Sequence, residues 1–298
     1  MKRKLLNFFL SIIPAAAFLI MEYAVTIIAI IAYLIFSMSL KGVGIDAAID
    51  KITEILNDTD ASTGIMIIYE LFILVAYGYW HYKVTDRYEH RAVARNINWL
   101  SLVSVLFLSV GMSIVMDYIT TIEDMINPVW YEVFEDMMES AGMANDMTLM
   151  ALLYACIIAP VAEELIFRGL VLHYAKKAFP LWIAVIYQAV LFGAFHMNMF
   201  QGIYAFFAGL FLGFVAYYGG NIMWSVILHM LYNTVQSFPV LGFLDHSWDN
   251  IFYFMVTLAG GVLLCIVTIY WYVKGIDLKN TENKLFDEIM AGNRSGIA

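Results

Sequence analysis

The chain has 298 residues, of which 62% are hydrophobic and only 14% charged, and its mean hydropathy is +0.78. A soluble domain averages about 45–50% apolar and about 25% charged residues, and disorder needs still less hydrophobicity, so both classes are excluded. The net charge of −9 leaves no basic stripe for nucleic acid, and Cys156 and Cys265 sit inside apolar runs, which excludes a disulfide framework or CxxC metal site.

Met1-Lys2-Arg3-Lys4 opens an apolar run that continues to about Phe36. That exceeds the roughly 7–15 residues of a signal-peptide core, so it predicts a retained first span that tilts steeply or breaks near Pro14. Further apolar runs lie at about 64–82, 97–120, 147–172, 180–197, 201–219, 221–237 and 250–273. The expectation is an all-α polytopic membrane bundle of about eight transmembrane helices.

Basic residues fall in alternate connections: Lys2, Arg3 and Lys4; Lys83, Arg87, Arg91 and Arg95; Arg168, Lys176 and Lys177; Lys274, Lys279 and Lys284. Acids fill the others, with Asp46, Asp50, Glu54, Asp58 and Asp60 in one and Glu123, Asp124, Glu132, Glu135, Asp136 and Glu139 in the next. Lys and Arg favour the cytoplasmic side, which places the bundle N-in and C-in. The segments at about 40–62 and 122–145 also carry apolar residues at helical spacing (Ile45, Ile49, Ile52, Ile55; Val129, Val133, Met137, Met138), predicting interfacial helices on the outer surface. Trp80, Trp99, Trp130, Trp182, Trp224, Trp248 and Trp271 lie mostly near span ends, as interfacial anchors do.

A charge in hydrocarbon costs at least ~2.5 kcal/mol, so intramembrane charges mark candidate sites. The densest group is Pro160-Val161-Ala162-Glu163-Glu164-Leu165-Ile166-Phe167-Arg168-Gly169 in the fourth run. Glu164 and Arg168 are four apart and pair on one helix face, while Glu163 points about 100° away and stays free to act as a general base. Pro160 frees a carbonyl one turn earlier. Taken alone, these charges also fit a cytoplasmic helix end at which they snorkel.

Two more clusters weigh against that. The fifth run ends Phe192-Gly193-Ala194-Phe195-His196, followed by Asn198 and Gln201, and the seventh holds Ser225, His229 and Asn233 as one polar stripe. His81, His90, His173 and His246 lie in or beside loops and read as solvated. Glu22 and Glu70 lack a local His or Arg companion and read as bundle-facing hydrogen-bond partners.

Glu163-Glu164-x-x-x-Arg168, then Phe192-x-x-x-His196, then His229-x-x-x-Asn233 resemble the three ordered motifs of the CPBP (Abi, CAAX-protease-like) family of intramembrane proteases. The resemblance implies that Glu163 with His196 activates a water, that His229 and Asn233 stabilise the oxyanion, and that Arg168 with Glu164 holds the constellation. It permits either a metal-free glutamate protease or a zinc enzyme with Glu163, His196 and His229 as ligands, though without HExxH spacing. The chain has no HExxH, GxSG or GxGD sequence. The implied domains are 1–146 (helices one to three with outer interfacial segments), 147–237 (a CPBP/Abi-like core of helices four to seven) and 238–298 (the last helix and a cytoplasmic tail).

The expected function is an intramembrane endopeptidase acting on a membrane-associated peptide or protein, with CAAX-type cleavage, bacteriocin processing and self-immunity as the implied roles. Short loops point to a bacterial plasma membrane. The competing readings are a proton-coupled transporter and a non-catalytic membrane immunity or scaffold protein. One geometric demand follows. Counted along the helices, Glu163 lies about 22–24 Å from the outer end of its span, whereas His196 is near the outer end of its own. They meet only if the turn 196–202 is sunk in the bilayer or the fourth span is displaced.

Overall fold

A computed structural model describes residues 2–85, 97–141, 147–238 and 251–295. Every regular element among them is helical: α1 (Lys2–Lys41), α2 (Ile45–Asn57), α3 (Thr59–Val84), α4 (Trp99–Ile126), α5 (Pro128–Ser140), α6 (Leu149–Ala178), α7 (Leu181–Phe195), α8 (Met199–Gly219), α9 (Met223–Ser237) and α10 (Ile251–Ser295). Local sequence explains the starts. Asp58, Asn98, Thr148 and Asn198 each accept a backbone N–H of the first turn that follows, and Pro128 opens α5 where no amide is needed.

Among the described residues, six helices are long and apolar enough to cross a bilayer: α1, α3, α4, α6, α8 and α10. The remaining two expected spans are short. α7 and α9 have 15 residues each, about 22 Å of helix against about 30 Å of hydrocarbon. Large apolar side chains such as Ile68, Phe72 and Val75 stand exposed along the long helices, as suits an integral membrane protein.

α1 runs unbroken through Pro14, so of the expected steep tilt or break the break does not occur. α3 is docked on that stretch, with Tyr77 Oη donating to Pro14 O at 2.8 Å and Tyr69 Oη to Phe18 O at 3.1 Å. The carbonyl that Pro14 leaves without an amide is that of Leu10, so these two bonds dock α3 on α1 and do not replace the missing one. α4 and α10 pair antiparallel over small residues: a Cβ on Gly111 would lie 2.9 Å from Cys265 Sγ, and Asn98 Nδ2 donates to Gly275 O at 3.1 Å.

Three expectations need correction. Trp224 is buried edge-on against Tyr272 at 5.7 Å rather than anchoring at an interface. His173 is buried with Nε2 2.6 Å from Lys177 Nζ, and half-buried His81 places Nδ1 3.1 Å from Gly169 O, where the missing Cβ makes room. Both line a cavity of about 130 Å³ at the basic end. Glu22 is exposed on α1 rather than facing the bundle. The segments expected as interfacial helices do form α2 and α5, and α5 docks Phe134 and Tyr131 on Phe200 at 5.1 and 5.4 Å. Arg87, His90, Arg91, Arg95, His246, Trp248 and residues 142–145 lie outside the described residues.

Candidate active site

The site starts from a defect in α6. Its backbone widens to π turns at Tyr154–Ile158 and Leu165–Val171, flanking the α-helical Ala159–Glu164. In the first, the Ala159 N–H bonds five residues back to Tyr154 O. The amide next in that register, facing Ala155 O, would belong to Pro160, which has none. Asn233 Nδ2 on α9 donates to Ala155 O at 2.8 Å instead. A proline in α6 thus creates the acceptor that ties α9 alongside it.

Glu164 is buried, and its Oε1 accepts Arg168 Nη1 at 2.7 Å and faces His229 Nδ1 at 3.0 Å. The Arg168 guanidinium sits 4.4 Å from the centroid of the Phe192 ring, and its Nη2 donates to Gly209 O at 3.4 Å. Glu163 remains the open carboxylate: its side chain is 19% exposed against 0% for Glu164, and its Oε2 lies 3.7 Å from His229 Nε2. That separation is too long for a direct hydrogen bond and lets a water contact both groups.

His196 joins through Phe192. Its Nδ1 is 2.8 Å from the Phe192 carbonyl, which can only accept, so this nitrogen carries the hydrogen and Nε2 of the neutral ring keeps its lone pair. The Phe192 ring meets His196 and His229 edge-on, with centroids at 5.1 and 5.9 Å. His196 is within electrostatic reach of Glu163 and His229.

The short α7 meets the depth demand. Glu163 stands 15 residues before Ala178 and His196 15 residues after Leu181, about 22 Å along each helix from the shared Phe179-Pro180 turn. The turn is also shorter than the expected 196–202. α8 already starts at Met199, and Asn198 Oδ1 accepts Gln201 N at 3.0 Å as its cap. Met197 takes a left-handed φ of 50° to make the reversal. The two helices approach closely behind it, because a Cβ on Gly193 would collide with Gly202 O.

The structure therefore brings Glu163, Glu164, Arg168 and His229 into one cluster, links His196 to it through Phe192, and engages the Asn233 amide with Ala155 O. Among the described residues no three His, Cys, Asp or Glu side chains gather as a metal group, Glu163, His196 and His229 included. Sequence reasoning passed over Phe192 as a ring and Gln188 altogether. Gln188 is buried in α7, and its Nε2 donates to Gly209 O at 2.7 Å, the carbonyl that Arg168 also reaches. A lone Gln in an apolar helix was the available signal.

Residues 145–235 match the family model described as Rce1-like, type II CAAX prenyl endopeptidase. The matched stretch takes in all of the clustered residues. No curated protein and no solved structure matches the chain.

Proposed function

We propose that this chain, whose residues 145–235 form an Rce1-like domain of the CAAX-protease family, is an intramembrane endopeptidase that hydrolyses a peptide bond with a water activated by Glu163 and His196. The observation that carries the reading is the open Glu163 carboxylate 3.7 Å from His229 Nε2, beside a fully buried Glu164–Arg168 pair. Glu163 takes a proton from water as the oxygen bonds to the scissile carbonyl carbon. In its imidazolium form His229 donates Nδ1–H to Glu164 and Nε2–H to the oxyanion, which the second N–H of Asn233 also holds, and Glu163 returns the proton to the amine as the C–N bond breaks. Glu164 accepts from His229 Nδ1 and fixes that ring, while Arg168 neutralises Glu164.

The substrate class is a membrane-associated peptide or protein, with CAAX-type cleavage, bacteriocin processing or self-immunity as the physiological setting. In this reading the basic helix ends face the cytoplasm of a bacterial plasma membrane, both termini on that side. The test compares membrane and secreted peptidomes of cells carrying wild type or Glu163→Gln at matched expression. Products that vanish only with Glu163→Gln establish proteolysis and name a substrate. Matching peptidomes put proton-coupled transport or a non-catalytic binding role in its place.

A further inference from the structure

Glu70, near the middle of α3, is 5% exposed, and its Oε2 has no hydrogen-bond partner among the described residues. α3 packs against α6 along the stretch that carries Glu163. Glu70 lies within electrostatic reach of Glu163 and of Glu22 on α1, and Tyr154 on the first π turn of α6 is within reach of all three acids. Glu70 on α3 and Glu163 on α6 therefore lie in one packed region, with the exposed Glu22 at its margin.

Glu163 has His229 Nε2 at 3.7 Å and Arg168 within electrostatic reach, but among the described residues no cationic side chain pairs with Glu70. Arg168 is committed to Glu164 and to Gly209 O, and among the described residues no Lys or Arg pairs with Glu70 or Glu163. The neighbouring Tyr69 hydroxyl is directed to Phe18 O at 3.1 Å. A buried carboxyl group with an open oxygen is held neutral by a proton until a cation arrives to take that proton's place. The acids of α2 and α5 mark the end of the bundle from which such a cation is drawn inward: Asp46, Asp50 and Glu54 on one helix, Glu132, Glu135 and Glu139 on the other.

We propose that Glu70 is a specificity residue that receives the ammonium or guanidinium group of a Lys or Arg flanking the scissile bond of the peptide substrate. This rests on the endopeptidase reading of Glu163. A substrate cation next to Glu70 gives the open carboxylate its partner and sets the register of the peptide against Glu163. Peptides without such a residue leave Glu70 as it stands in the structure and bind without that contact.

The experiment uses the full-length chain in lipid nanodiscs and a peptide mixture released from a membrane fraction by an Asp/Glu-directed protease, which keeps internal Lys and Arg. Cleavage sites are read by mass spectrometry for wild type, Glu70→Gln, Glu70→Asp, Glu22→Gln and Glu163→Gln, with thermal unfolding of each variant as the check on folding. Wild type is expected to favour sites with Lys or Arg close to the cut. Glu70→Gln should lose about tenfold on those sites and less than about twofold on neutral ones, while Glu70→Asp and Glu22→Gln keep the preference. Three outcomes overturn the proposal: a wild type indifferent to basic residues, a folded Glu70→Gln that keeps the preference, or one that loses neutral and basic sites equally. If wild type and Glu163→Gln give the same products, the endopeptidase reading falls and the inference falls with it.

Discussion

Asn233 Nδ2 donates to Ala155 O at 2.8 Å, in the place where Pro160 withholds an amide. One residue of α9 and one proline of α6 are thereby coupled, although 73 positions separate them. Helix α9 carries His229, so this bond sets how deep the imidazole sits beside Glu163 and Glu164.

Asn233→Ala should destabilise the protein by about 1–3 kcal/mol, because Ala155 O is left without a donor. On a Pro160→Ala background the same change should cost less, since residue 160 then supplies an N–H. Thermal unfolding of the four variants in detergent measures the coupling. Equal costs in both backgrounds would mean that the proline is not what opens the carbonyl.

Glu164→Gln leaves the buried Arg168 without its counter-charge and gives it and His229 Nδ1 only a neutral amide oxygen to share. The expected loss is about 3–5 kcal/mol of stability, larger than for Glu163→Gln, whose side chain reaches solvent. Chemical unfolding of the two single variants, run side by side, checks the order.

Gly193→Ala drives a methyl group against Gly202 O in the α7–α8 contact. Overpacking there should cost about 1–3 kcal/mol and shift His196, so peptide cleavage should fall further than stability alone explains. Gly260→Ala on α10, where a Cβ meets nothing within 4 Å, is the matched control and should leave cleavage unchanged.

Dialysis of the purified protein against a metal chelator should leave cleavage within about twofold, since the donors do not gather into a three-ligand group among the described residues. Loss of cleavage that returns on adding zinc would show that substrate binding draws Glu163, His196 and His229 together.

The membrane class, the helical architecture and the clustered residues of α6 were legible from the chain alone. Apolar runs of bilayer length and charges four residues apart are local properties, and Glu164–Arg168 pairs as its spacing requires. The freed carbonyl was foreseeable from Pro160, but its partner Asn233 was not, since nothing local relates α6 to α9.

Folding decided which faces meet. Glu22 and Glu70 read alike in sequence, yet one is exposed and the other buried; Trp224 and His173 read as peripheral and are enclosed. Hydropathy cannot separate these cases in a membrane protein, because lipid and protein interior are equally apolar and no polar face marks the outside. The expected runs 180–197 and 221–237 overrun the helices by one or two residues, at both ends of α7 and at the start of α9. Those helix ends are local, set by Met197 with the Asn198 cap after α7 and by Gly220 and Asn221 before α9. The contacts of Gly193 with Gly202 and of Trp224 with Tyr272, by contrast, belong to pairs of helices that no single stretch of chain contains.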